Sequence, residues 1–187
     1  MARNDMKKDR LTELAVRMKK GDRRAAAEMY DELLPKVYGF LFTRMSKREA
    51  AEDLAQEVFI KLIEKIDAYD ETRGAFVVWF WRVVRRMLID FYRKKTETPF
   101  SHFEEGEVEA MVIDEREPDV DGKLHHEKIS AFLKTLSPDD QELFEYRFVA
   151  ELSYTEIAEL MGKSEGSLRV AALRIKEKIK KELKKEL

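Results

Sequence analysis

Residues 153–183 read SYTEIAELMGKSEGSLRVAALRIKEKIKKEL, and this stretch decides the fold. Ser153-Tyr154-Thr155-Glu156 has the form of a capping box, in which serine and glutamate satisfy each other's backbone N–H groups at a helix start. Ile157, Ala158 and Leu160 are apolar residues of the short helix that follows, and Gly162 allows the backbone conformation of a tight turn. Ser164 caps a second helix from Glu165, whose inward stripe is Leu168, Ala172, Ile175, Ile179 and Leu183, spaced three and four apart. Ala158 is small where two helices must cross. The stretch therefore reads as a helix-turn-helix. In such motifs the start of the second helix enters the major groove of DNA. Arg169, Arg174 and Lys176 are outward positions there, suited to guanine edges or phosphates. A plain helical hairpin with basic solubilising side chains would show the same residues.

Upstream, the helical period continues. Residues 9–20 form an amphipathic helix that stops at Gly21. Asp22 caps a helix from Arg23 through Met29, Leu33, Val37, Phe40 and Leu41, with a kink expected at Pro35. Ser46 caps a third helix, from Lys47 to Ile66, whose apolar stripe is Leu54, Ala55, Val58, Phe59, Leu62, Ile63 and Ile66. The segment 67–75 is a loop. The run 76–95 is rich in Val, Phe and Trp but too long for a strand, and reads as a helix. From Thr96 the pattern vanishes among Pro99, Gly106, Pro118, Gly122 and many acids, the composition of a flexible linker. Further helices are expected over 125–135, 138–150, 153–161 and 164–185, with Ser137-Pro138 marking one start. The expectation is an all-α protein of two small helical domains, 9–95 and 124–187, joined by a flexible acidic linker over 96–123.

Composition narrows the class. The chain has 187 residues with 40% charged, 7 Gly, 4 Pro and no Cys. Disulfide scaffolds, Cys-ligated zinc and thiol catalysis are excluded. No apolar run approaches the ~20 residues that cross a bilayer, and the first ten residues lack a signal peptide's apolar core, so a cytoplasmic chain with no membrane insertion is expected. The net charge of −2 hides a division. Residues 1–95 sum to +6, residues 96–126 to −8 and residues 127–187 to zero. Two basic regions around an acidic stretch suit a polyanion-binding protein, or equally two solvated faces and an ordinary tether.

The helix 76–95 interleaves Trp79, Phe80, Trp81, Phe91 and Tyr92 with Arg82, Arg85, Arg86, Arg93, Lys94 and Lys95. Aromatics beside cations suit single-stranded nucleic acid, since phosphates need positive charge and an extruded base needs a flat surface. Trp79 also fits a core position.

Together these segments resemble the extracytoplasmic-function group of the sigma-70 family, over about residues 9–185. Gly21-Asp22 with Ala26 and Tyr30 looks like its opening helices. The run from Glu52 to Phe59 is close to D-L-x-Q-E-x-F. Trp79 to Arg82, then Asp90 to Arg93, resembles W-L-Y-R-I-A…D-x-x-R. Leu136-Ser137-Pro138, Tyr154 to Ala158 and Gly166-Ser167-Leu168 resemble L-P…S-Y-x-E-I-A…G-T-V.

The resemblance implies a non-enzymatic promoter-specificity subunit, without cofactor or metal, that binds core RNA polymerase, recognises two promoter elements and helps melt the −10 region. It implies docking of Glu52, Asp53, Gln56 and Glu57 on the clamp helices of the largest polymerase subunit. The loop 67–75, with Asp70 and Arg73, would hold a flipped −10 base near Trp79, Arg82, Arg85 and Arg86. Arg93, Lys94 and Lys95 would meet backbone phosphates. Ser167, Arg169, Arg174 and Lys176 would read the −35 element, the preceding helices would meet the polymerase flap, and the acidic linker would run toward the active-site cleft. An anti-sigma factor is a common partner in the family. The chain departs from the pattern at Arg86, where Asn is frequent, at Val170-Ala171, where Ser-Arg is frequent, and at Leu173.

Two other readings remain open at this point. A stand-alone helix-turn-helix regulator would leave the 52–59 surface and the aromatic helix without a role. An enzyme would have to use His102, His125 and His126, none of which has an i,i+4 histidine partner.

Overall fold

The computed structural model describes residues 2–45, 47–95 and 131–185, with only the backbone given for 2–9, 95 and 183–185. The expected linker, the three histidines and the Ser46 cap fall outside the described residues. Within them, every regular element is helical.

α1 (Ala2–Lys19) leads through Gly21, at φ +81°, into α2 (Arg23–Arg44). Asp22 caps α2 as expected, accepting hydrogen bonds from the backbone N–H of Arg24 at 2.9 Å and of Ala25 at 3.3 Å. The Arg17 guanidinium sits 2.7 Å from the Asp22 carboxylate. α2 runs through Pro35 without a break. α3 (Arg48–Lys65) continues as a short 3₁₀ turn, Ile66–Ala68, and α4 (Phe76–Lys95) closes the first unit. Met29, Leu33, Phe40, Leu62, Phe76, Phe80 and Trp81 are fully buried in its core. One residue of the expected α3 stripe departs: Ile63 is 62% exposed. Leu62 and Ile66 already continue the line from Leu54, Val58 and Phe59, and Ile63 lies one residue around the helix from it.

In the second unit the described residues begin with a helical turn at 131–134. In α5 (Pro138–Phe144), Ser137 accepts the N–H of Asp140 at 3.2 Å and Pro138 occupies the first turn. The expected single helix to residue 150 changes character at Glu145–Val149, where it widens into a π turn. The N–H of Ala150 reaches the Glu145 carbonyl, and the N–H of Leu152 the Tyr146 carbonyl, around Glu151 at φ +58°. α6 (Tyr154–Met161) and α7 (Glu165–Lys185) form the helix-turn-helix, with the Ser153–Glu156 capping box in place and Gly162 at φ +66° in the turn. Leu168, Ala172 and Ile175 are buried and Ile179 partly so, as the spacing predicts.

The two units share one core, with the π turn after α5 seated against α2 and with α6 against α4. Tyr146 stacks on Phe40, centroids 5.7 Å apart, and meets Trp81 edge to face at 6.0 Å. Gly39 permits the approach: a Cβ there would lie 2.9 Å from Val149 Cγ1.

Candidate nucleic-acid interface

Three surfaces carry the residues singled out in the sequence. On α3, Asp53, Gln56 and Glu57 are exposed and share one face, while Glu52 is half-buried and accepts the Arg48 guanidinium at 2.8 Å. Ile60, 58% exposed, and Ile63 extend the same face toward the C-terminus. The sequence reading missed both isoleucines. Their signal was an apolar pair at i, i+3 in line with the 53–56–57 face rather than with the core stripe.

The second surface is α4 with the loop before it. Asp70 accepts the Thr72 hydroxyl at 2.7 Å and the Thr72 N–H at 3.0 Å, so these hydrogen bonds hold its carboxyl below the ordinary range. Arg73 is exposed, and its N–H bonds the Asp70 carbonyl. Trp79 is half-buried against the rings of Tyr69 and Phe76, at 5.5 and 5.8 Å, so one part of its ring stays accessible. Trp81 is wholly core. Arg86, Arg93 and Lys94 are exposed, Arg93 with Asp90 at 3.3 Å. Lys95 ends the helix. Tyr92, expected among the aromatics for nucleic acid, instead donates its hydroxyl to the Arg44 carbonyl at 2.6 Å, and burial pushes its pKa up.

Arg82 and Arg85 are engaged by the second unit. Arg82 donates to the Glu159 carbonyl at 3.3 Å, and Arg85 lies 3.3 Å from the Glu142 carboxylate, which is buried. Beside them Glu145, 2% exposed, receives two bonds from the Arg44 guanidinium at 2.7 and 2.5 Å and one from the Thr43 hydroxyl at 3.2 Å. Burial alone would lower the Arg44 pKa, but the charge and hydrogen bonds of Glu145 drive it further up. Lys36 pairs with Glu151 at 3.2 Å. Glu142 and Glu145 went unnoticed as functional residues. Their signal was a pair of acids in line with the buried Leu143 and Tyr146.

The third surface is α7. Ser167 is exposed, its hydroxyl donating to the Ser164 carbonyl at 2.8 Å. Arg169 is turned along the helix flank: its guanidinium bonds Glu165 at 3.1 Å and lies over the Tyr154 ring at 4.6 Å. Arg174 lies 3.7 Å from Asp140, and Lys176 lies over the Phe148 ring at 5.8 Å. Val170 and Leu173 are exposed between them.

Comparison with known proteins agrees with this geometry. Residues 29–98 match the model of Sigma-70 region 2, and residues 126–179 that of Sigma-70 region 4. The chain is 28% identical over 172 residues to the ECF RNA polymerase sigma factor BldN of Streptomyces coelicolor, covering 88% of this chain and 62% of that one. It is 27% identical to SigW of Bacillus subtilis, covering 89% and 93%. Its fold is similar to that of CnrH, solved in complex with the cytosolic domain of CnrY, with a TM-score of 0.68 at 17% identity over 95% of this chain and 99% of that one. The chain belongs to the sigma-70 family, in its extracytoplasmic-function group of RNA polymerase sigma factors, whose work is promoter-specific transcription initiation.

Proposed function

We propose that the three surfaces divide the work of initiation, with the α3 face docking on the clamp helices of core polymerase. The observation that carries this is the exposed line Asp53–Gln56–Glu57–Ile60–Ile63, acidic at one end and apolar at the other. A face of that kind pairs charge-steered encounter with an apolar anchor. The loop 67–75, Trp79 and the cations of α4 take the −10 strand, and α7 engages the −35 element through Ser167, Arg174 and Lys176. Arg169 meets a phosphate of the same element from its place on the Tyr154 flank. The boundaries 9–95, 96–123 and 124–187 fit this division, and the flap of polymerase receives the second unit. The chain needs no active site: strand opening comes from binding the separated bases.

Because Arg82 and Arg85 are held by Glu159 and Glu142, −10 binding exchanges those contacts for phosphates. The fold likeness to the sigma factor RpoE of Bartonella quintana, solved with the anti-sigma factor NepR (TM-score 0.59 at 21% identity over 84% of this chain and 96% of that one), supports an anti-sigma partner.

The test is a pull-down with core polymerase. The double variant Asp53→Ala, Gln56→Ala replaces exposed side chains, so its circular dichroism should match wild type while core affinity falls at least tenfold. Unchanged affinity would overturn the assignment of this face.

A further inference from the structure

The centre of the recognition-helix face is apolar. At 100° per residue, Val170 lies opposite the buried line Leu168–Ala172–Ile175, with Gly166 and Leu173 beside it. Val170 is 63% exposed and Leu173 61%. No packing demand explains Gly166, since a Cβ there would meet nothing within 4 Å. Arg169, the cation nearest the helix start, is turned to the Glu165–Tyr154 flank and leaves the centre to aliphatic side chains. Exposed cations border the face, Arg174, Lys178 and Lys181 along one side and Lys176 and Lys180 along the other, and the exposed acid Glu177, 3.0 Å from Lys180, ends the apolar strip one turn beyond Leu173. An apolar strip between two basic margins is complementary to a groove with phosphates on both sides. Within the major groove the one apolar group a base pair offers is the C5-methyl of thymine.

We propose that Val170 and Leu173 are specificity residues that read thymine methyl groups in the −35 element. The inference rests on α7 entering the major groove. Neither side chain has a donor or acceptor for a base edge, so discrimination comes from burying methyl against branched carbon. Arg174 and the lysines set register on the phosphates without selecting bases.

The experiment uses core polymerase reconstituted with the full chain. Promoters are first selected from a library randomised across the −35 region. Each selected thymine is then replaced by deoxyuridine, which keeps every hydrogen-bonding group and lacks only the methyl. Promoter binding should fall about fourfold for each methyl that Val170 or Leu173 covers. Val170→Ala, at an exposed position, should lose the preference for thymine over deoxyuridine at one position, its binding to the thymine promoter falling to about that of the deoxyuridine promoter. If selection returns no thymine, or deoxyuridine matches thymine throughout while the −35 element is still required, the methyl reading is overturned. If the −35 sequence has no influence at all, groove entry by α7 falls with it. If the strip seats a protein instead, Val170→Ala and Leu173→Ala will weaken polymerase binding without promoter DNA, which also overturns the proposal.

Discussion

Arg44→Ala tests the seat between the two units most directly. Glu145 is buried and accepts two bonds from Arg44 that the variant removes, while the bond from the Thr43 hydroxyl stays. Removing one member of a buried ion pair costs about 3–5 kcal/mol, because the remaining charge stays out of water. Here the loss is capped by the strength of the seat itself. If the units part, Glu145 rehydrates and the penalty disappears. The expected result is a stability loss of about 3 kcal/mol in urea, or a smaller loss with an increased distance between spin labels on α2 and α6. A double-mutant cycle with Glu145→Ala should give a coupling of about 1–3 kcal/mol. Arg44→Met with Glu145→Leu should restore a closed, stable chain, since apolar groups of similar volume can replace a buried pair at little cost. If Arg44→Ala stays within about 0.5 kcal/mol of wild type and the label distance is unchanged, the ion pair does not hold the units together.

Two further outcomes follow from local geometry. Gly162→Ala should lower stability by about 1 kcal/mol from left-handed backbone strain alone, because φ is +66° and a Cβ would meet nothing; a thermal midpoint lower by about 2–4 °C is the readout, and an unchanged midpoint would contradict it. The Asp22 carboxyl is held below its ordinary pKa by the Arg17 hydrogen bond first, then by the N–H of Ala25 and Arg24. Its folded pKa lies below the unfolded one, so its contribution is complete above about pH 4–5 and is lost as pH falls through the folded value. Urea midpoints of Asp22→Asn and wild type should therefore differ at pH 7 and converge in acid; a gap that does not narrow would refute this.

The local signals were legible because each is settled within a few residues. Asp22, Ser137 and Ser153 cap the helices that follow them, and Leu168, Ala172 and Ile175 turn inward as their spacing requires. The polar face of α3 was singled out by the family resemblance, and the helical period then places Asp53, Gln56 and Glu57 together on it. What escaped the sequence depends on distant partners. Glu145 meets Arg44 across 101 residues, and Glu142 meets Arg85 across 57. Read alone, either acid belongs to a solvated face. Ile63 went astray for a related reason: helical period places a residue on a face but does not say which faces a neighbour will cover. Arg169 was legible as a cation at the recognition position, while its engagement with Tyr154 depends on how α6 crosses α7.

The aromatic seat has a consequence for how the two units come apart. Tyr146 is fully buried between Phe40 and Trp81. An aromatic side chain of this size removes about 200 Å² from water, which at ~25 cal/mol per Å² is at most about 5 kcal/mol. The bond from the exposed Arg82 guanidinium to the Glu159 carbonyl contributes about 0.5–1.5 kcal/mol. Phosphates competing for Arg82 are therefore a weak lever against the seat. A binder that gives Tyr146 or Trp81 a new apolar berth is a strong one, and separation by that route is a handover between surfaces rather than an escape into solvent.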